Sequence, residues 1–110
     1  MKIPEKIKIG GVGYSVVYEE RLNTGSKLAY GHIDYDKAII QIEPKLQDYQ
    51  GMCQTLLHEI LHGVADDRQI DFKNADEERI VNQFANGLYQ VIQDNPDLFG
   101  SDTDGKEETT

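Results

Sequence analysis

The chain has a single cysteine, Cys53, and that one count removes several classes of protein. No intramolecular disulfide can form, and a zinc site built on several cysteines is out of reach. Cys53 lies on the apolar side of a periodic segment and reads as a small buried hydrophobe, not an exposed reactive thiol. Basic residues are scarce as well: 11 lysines and arginines stand against 20 acids, a net charge of −9. Nucleic acid and anionic membranes repel such a chain at long range, so neither is an expected partner. No apolar run approaches the ~20 residues that a membrane span needs. The opening MKIPEKIKIGG is basic but has no apolar stretch of the kind a secretory signal carries. The expected setting is the reducing cytoplasm. There is no internal repeat and no linker, and 110 residues suit one domain able to bury about two-thirds of its unfolded surface.

What is present divides into two halves. The first is strand-like. Lys6–Ile9 alternates polar and apolar and stops at Gly10-Gly11; Tyr14–Glu19 is rich in Tyr and Val. Asn23–Ser26 is a turn cluster. Leu28–Asp34 and Lys37–Glu43 are separated by two residues, which predicts an antiparallel hairpin closed by Pro44. The second half is helical. From about Leu46 to Val64, apolar residues fall at 49, 52, 53, 56, 57, 60, 61 and 64. Ala65–Lys73 reads as a polar connection. Asn74 or Asp76 then caps a second helix to about Asp94, with Ile80, Val81, Phe84, Leu88, Val91 and Ile92 expected inside. The expected class is α+β: an antiparallel or mixed sheet of three or four strands with two helices. The domain covers 1–98, and 99–110 reads as a disordered acidic tail.

The chemistry is concentrated in His58-Glu59-Ile60-Leu61-His62, an HExxH motif that uses two of the three histidines. Histidines four apart stack on one helix face, so both imidazoles reach one metal ion. Glu59 lies about a hundred degrees around the helix, placed for a water on that ion instead of the ion itself. There it would act as general base. Chance gives this pattern in roughly half a per cent of shuffled chains of this composition, which makes the match informative. A catalytic zinc wants a third protein ligand and one open position. His32 and the downstream acids are the candidates. The second helix begins Asp76-Glu77-Glu78-Arg79, and register favours Glu78, three residues before Val81, over Glu77. Two acids at a helix start also offset the helix dipole, whatever else they do.

HEILH followed by E-x-x-V-N-x-F-A (Glu78, Val81, Asn82, Phe84, Ala85) resembles the minimal gluzincin metallopeptidases of phages and mobile elements. It is similar in layout to the ImmA/IrrE-like peptidases, in which HExxH precedes an E-x-x-A-N-x-F-A helix. The likeness covers about residues 37–95; Val81 stands where that pattern has Ala, and no DNA-binding helix-turn-helix accompanies it. The resemblance implies a minimal zincin-like fold. It implies one zinc held by His58, His62 and Glu78, with Glu59 as the catalytic base. It also implies a peptide or protein substrate laid along Lys37–Glu43 as the sheet edge.

Two further expectations concern the surroundings of the motif. An oxyanion formed during hydrolysis needs a second stabiliser, for which Tyr30, Tyr35, Tyr49, Tyr89 and His32 are available. Asp66, Asp67, Asp71 and Asn82 are available to orient the imidazoles. The alternative to hydrolysis is a zinc-stabilised binding or regulatory module without turnover, with a fourth protein ligand such as His32 or Asp71 closing the metal.

Overall fold

Gly10 and Gly11 both take positive φ, +57° and +86°, which suits the tight turn between two antiparallel strands. That turn joins β1 (Lys6–Ile9) to β2 (Val12–Tyr18) in the computed structural model, which describes residues 1–25 and 27–98. The acidic-tail reading of 99–110 lies outside the described residues. β3 (Asn23–Thr24) and β4 (Lys27–Leu28) form a small separate ribbon where the sequence predicts only a turn. β5 (Gly31–Asp34) and β6 (Ile39–Ile42) form the expected antiparallel hairpin, with Gly31 opposite Ile42 and Asp34 opposite Ile39.

The hairpin is shorter than its alternation suggests. The Asp34 carboxylate accepts the Lys37 N–H at 3.0 Å, and Ala38 sits at φ +55°. That local bond draws Tyr35–Ala38 into a four-residue connection in place of the two-residue turn. Leu28 belongs to the ribbon, not to β5.

The strand order is β1-β2-β6-β5, with β2 and β6 parallel and the other pairs antiparallel. The sheet is therefore mixed, and the fold is α+β. This order corrects one expectation. β6, within Lys37–Glu43, is an interior strand because β2 covers its other side; the outer strand is β5. Ile40 and Ile42 on β6 are fully buried, and each contributes about 1.5–3 kcal/mol through the hydrophobic effect.

α1 (Tyr49–Asp67) packs on this sheet through Leu56, Ile60 and Val64, and on α2 (Glu77–Asp94) through Cys53, Leu57 and Leu61. Asp48 caps α1, its carboxylate accepting the Gly51 N–H at 2.8 Å, so the helix starts three residues later than Leu46. It ends one turn later than Val64, with Ala65 buried. Gly63 lets the sheet close on the helix: a Cβ there would stand 2.9 Å from Ile9 Cδ1 and 3.1 Å from Ile33 Cδ1. Asp76, not Asn74, caps α2. The buried residues of α2 are Val81, Ala85 and Tyr89, with Leu88 and Ile92 half-buried. Phe84 and Val91 were expected inside but are 69% and 46% exposed. The helix carries apolar residues on two faces, and only one of them meets α1. No helix of the described residues is long and apolar enough to cross a membrane.

Candidate metal centre

α1 and α2 run antiparallel, and their contact face carries the motif residues into register. Glu78 Oε1 lies 2.7 Å from His62 Nε2 and 3.1 Å from His58 Nε2, and the two Nε2 atoms are 3.1 Å apart. Three donor atoms therefore converge on one point. A tetrahedral shell with metal–ligand bonds near 2.1 Å has edges of about 3.3–3.4 Å, close to this triangle. His58, His62 and Glu78 can hold a metal ion. Two imidazoles and one carboxylate would leave a fourth position of a tetrahedral ion without a protein ligand from this group.

The far nitrogens of both rings are also engaged. His58 Nδ1 lies 3.3 Å from Asn82 Oδ1, and His62 Nδ1 lies 2.9 Å from Glu77 Oε2. With a metal ion bound, a proton on each Nδ1, donated to those oxygens, would leave both Nε2 lone pairs for the ion. The two neighbouring acids thus divide the work. Glu78 supplies an oxygen to the cluster, and Glu77 orients His62 from behind. That second role was not anticipated for Glu77, although its position one residue before Glu78 at the helix start was the available signal. Of the four side chains available to orient the imidazoles, Asn82 meets His58. Asp71 instead accepts the Lys73 N–H, and Asp67 sits against the Gly10 turn.

Charge is balanced within the cluster. Burial alone would raise the Glu78 carboxyl, but the imidazoles of His62 and His58 hold it below the usual range. Burial alone would lower the His62 imidazole, but hydrogen bonds to Glu77 and Glu78 lift it above its ordinary value. Glu59 is only 7% exposed, and burial pushes its carboxyl up to about 7, with His62 pulling it down and Glu78 adding to the rise. A carboxylate with that affinity for protons suits a general base near neutrality.

β5 closes the other side of the site. A Cβ on Gly31 would stand 2.4 Å from Thr55 Cγ2 and 3.3 Å from Glu59 Oε2, so only glycine permits this approach of strand to helix. The start of β5 is pegged in place. The Gln47 side chain donates to the carbonyls of Tyr30 and Glu43 at 3.1 and 2.8 Å and accepts from the Thr55 hydroxyl at 2.7 Å. The buried Glu43 carboxylate accepts backbone N–H groups of Arg21, Lys45 and Leu46. Burial would raise that carboxyl, but these donors hold it below the ordinary range. Neither Gln47 nor Glu43 was singled out from sequence, since nothing local distinguishes a structural Glu at a strand end.

A cleft of about 780 Å³ runs between β5 and α2 over α1, with His58, Glu59, His62 and Glu78 on its wall. Of the aromatic and His candidates, Tyr30, Tyr35 and His32 line it. Tyr89 is in the core between the helices, and Tyr49 hydrogen-bonds to Ile3 and Met1 elsewhere. The Tyr35 hydroxyl donates to the His62 carbonyl at 3.2 Å; burial, with Asp66 next, raises it to about 12, so it stays a neutral donor. His32 pairs with Gln41 across the sheet, on the face of β5 opposite Ile33, which packs toward α1. Neither His32 nor Asp71 joins the His58–His62–Glu78 group.

Compared with family models, with curated proteins and with solved structures, the chain matches none.

Proposed function

We propose that this protein is a zinc-dependent metallopeptidase of gluzincin type, with a minimal zincin-like fold and one zinc per chain. The observation that carries the reading is the meeting of Glu78 Oε1 with both Nε2 atoms beside a buried Glu59. Zinc, when bound by His58, His62 and Glu78, supplies Lewis acidity toward a carbonyl oxygen and acidifies water. Glu59 takes the proton of the attacking water and delivers it to the leaving amine. Asn82 and Glu77 keep the imidazoles in the tautomer that ligation needs.

The substrate in this reading is a peptide or protein segment in extended form. Among the described residues β5 is the outermost strand beside the cleft, with no strand paired to its outer edge, and that edge could accept an extended peptide through backbone hydrogen bonds. Gly31 matters here twice, because it brings that edge to Glu59 and leaves no side chain in between.

The reading is tested with terminally blocked peptides of mixed sequence. Hydrolysis should vanish on dialysis against chelator, return with one equivalent of zinc, and be absent from His62→Ala. Cleavage that survives both chelation and His62→Ala would refute the assignment.

A further inference from the structure

The register of the two helices extends beyond the metal ligands. His62 meets Glu77 and Glu78, and His58 meets Glu78 and Asn82. One helical turn earlier on α1 stands Gln54, and one turn later on α2 stands Asn86. Residues four apart share a helix face, so these two form the next rung of the same wall. Both line the cleft. Gln47, the other glutamine there, spends its carboxamide on Tyr30, Glu43 and Thr55. Gln54 and Asn86 make no side-chain hydrogen bond among the described residues, so both carboxamides are free for a ligand.

The charges of the cleft narrow what that ligand is. Its described lining holds no lysine or arginine, and its only acids are Glu59 and Glu78, both within the metal centre. An acidic side chain or a free α-carboxylate finds no lysine or arginine beside Gln54 and Asn86 in the described lining and meets an anionic protein overall. A carboxamide offers an acceptor oxygen and two N–H donors. Its full complement is another carboxamide, which can both donate to and accept from the same group.

We infer that Gln54 and Asn86 form a subsite, one turn from the metal ligands, that selects glutamine or asparagine side chains within an extended peptide. The inference rests on the metallopeptidase reading for the role of the cleft. It gives the cleft a chemical preference that the metal centre alone does not.

The test uses a peptide library blocked at both ends and randomised around the cut, with the zinc-loaded full chain. Mass spectrometry of the products should show Gln and Asn enriched about threefold to tenfold over Leu and Glu at one flanking position, as one or two exposed hydrogen bonds allow. Gln54→Leu with Asn86→Leu should erase that enrichment while zinc content stays at one per chain. Gln54→Lys should turn the preference toward Asp and Glu. Retention of the same library on zinc-loaded Glu59→Gln reads selectivity without turnover. Cleavage with no amide preference, or a preference that survives the double variant, overturns the subsite and leaves the peptidase reading intact. Amide-selective retention without any cleavage supports the subsite and overturns the peptidase reading. Neither cleavage nor retention overturns both.

Discussion

Replacing Glu78 and Glu77 separately by glutamine separates the metal ligand from its neighbour. Glu78 offers one of the three converging donor atoms, whereas Glu77 touches only the outer nitrogen of His62. Loss of an outer hydrogen-bond partner weakens metal binding about tenfold to a hundredfold. Loss of a direct ligand should exceed a hundredfold. Zinc that binds only the folded chain would turn these factors into stability. At free zinc a hundred times the wild-type dissociation constant, the bound ion stabilises the wild type by about 2.7 kcal/mol. For a domain of this size that is a rise in Tm of about 10–20 °C. At the same free zinc, Glu77→Gln should keep about 0.4–1.4 kcal/mol of the gain, and Glu78→Gln less than about 0.4 kcal/mol. Thermal unfolding followed by circular dichroism, with and without buffered zinc, gives all six values. A larger loss in Glu77→Gln than in Glu78→Gln would show that the ligand has been misassigned. A wild-type Tm indifferent to zinc would remove the metal centre altogether.

Other outcomes follow from the same geometry. Gly31→Ala places a methyl against Thr55 and the Glu59 carboxylate, so peptide hydrolysis should fall at least tenfold while zinc affinity stays within about threefold; an unchanged rate would mean the strand gives way freely. The Glu43 carboxyl is held below its ordinary range, so its contribution is present at neutral pH and is lost as pH falls through its folded value. Urea midpoints between pH 7 and pH 3 should therefore drop less steeply in Glu43→Gln, which starts from a lower stability at pH 7. Leu56→Ala, at a position 1% exposed, should cost about 2–5 kcal/mol. Phe84→Ser, on the uncovered face of α2, should change stability by less than about 0.5 kcal/mol. A loss in Phe84→Ser as large as that in Leu56→Ala would contradict the exposed placement of Phe84.

The residues of the centre were legible because their chemistry depends on helical spacing. His58 and His62 had to share a face, and Glu78 was favoured over Glu77 by its register with Val81, a choice that agrees with the contact to both imidazoles. Asn82, one turn beyond, followed the same logic. The sheet was less legible. Alternation identifies strands but not their neighbours, so the edge position that the resemblance implies for Lys37–Glu43 had no local signal to check it, and the parallel pairing with β2 places β6 inside the sheet. Phe84 and Val91 lie outside the α2 interior that their apolar character predicts, because hydrophobicity marks every apolar residue, covered or not. Gly31 and Glu43 were missed for a different reason: each acts through contacts with segments distant in sequence. A glycine's missing side chain and a buried acid's backbone donors are properties of packing, not of local pattern.

In the proposed reaction Glu59 moves the proton in hydrolysis at a zinc held by His58, His62 and Glu78. The most direct measurement of that step is the rate of blocked-peptide cleavage by zinc-loaded wild type and Glu59→Gln at equal metal content. Both proteins should carry one zinc per chain, and the variant should cleave at least a hundredfold more slowly. Equal rates at equal zinc would contradict that role for Glu59.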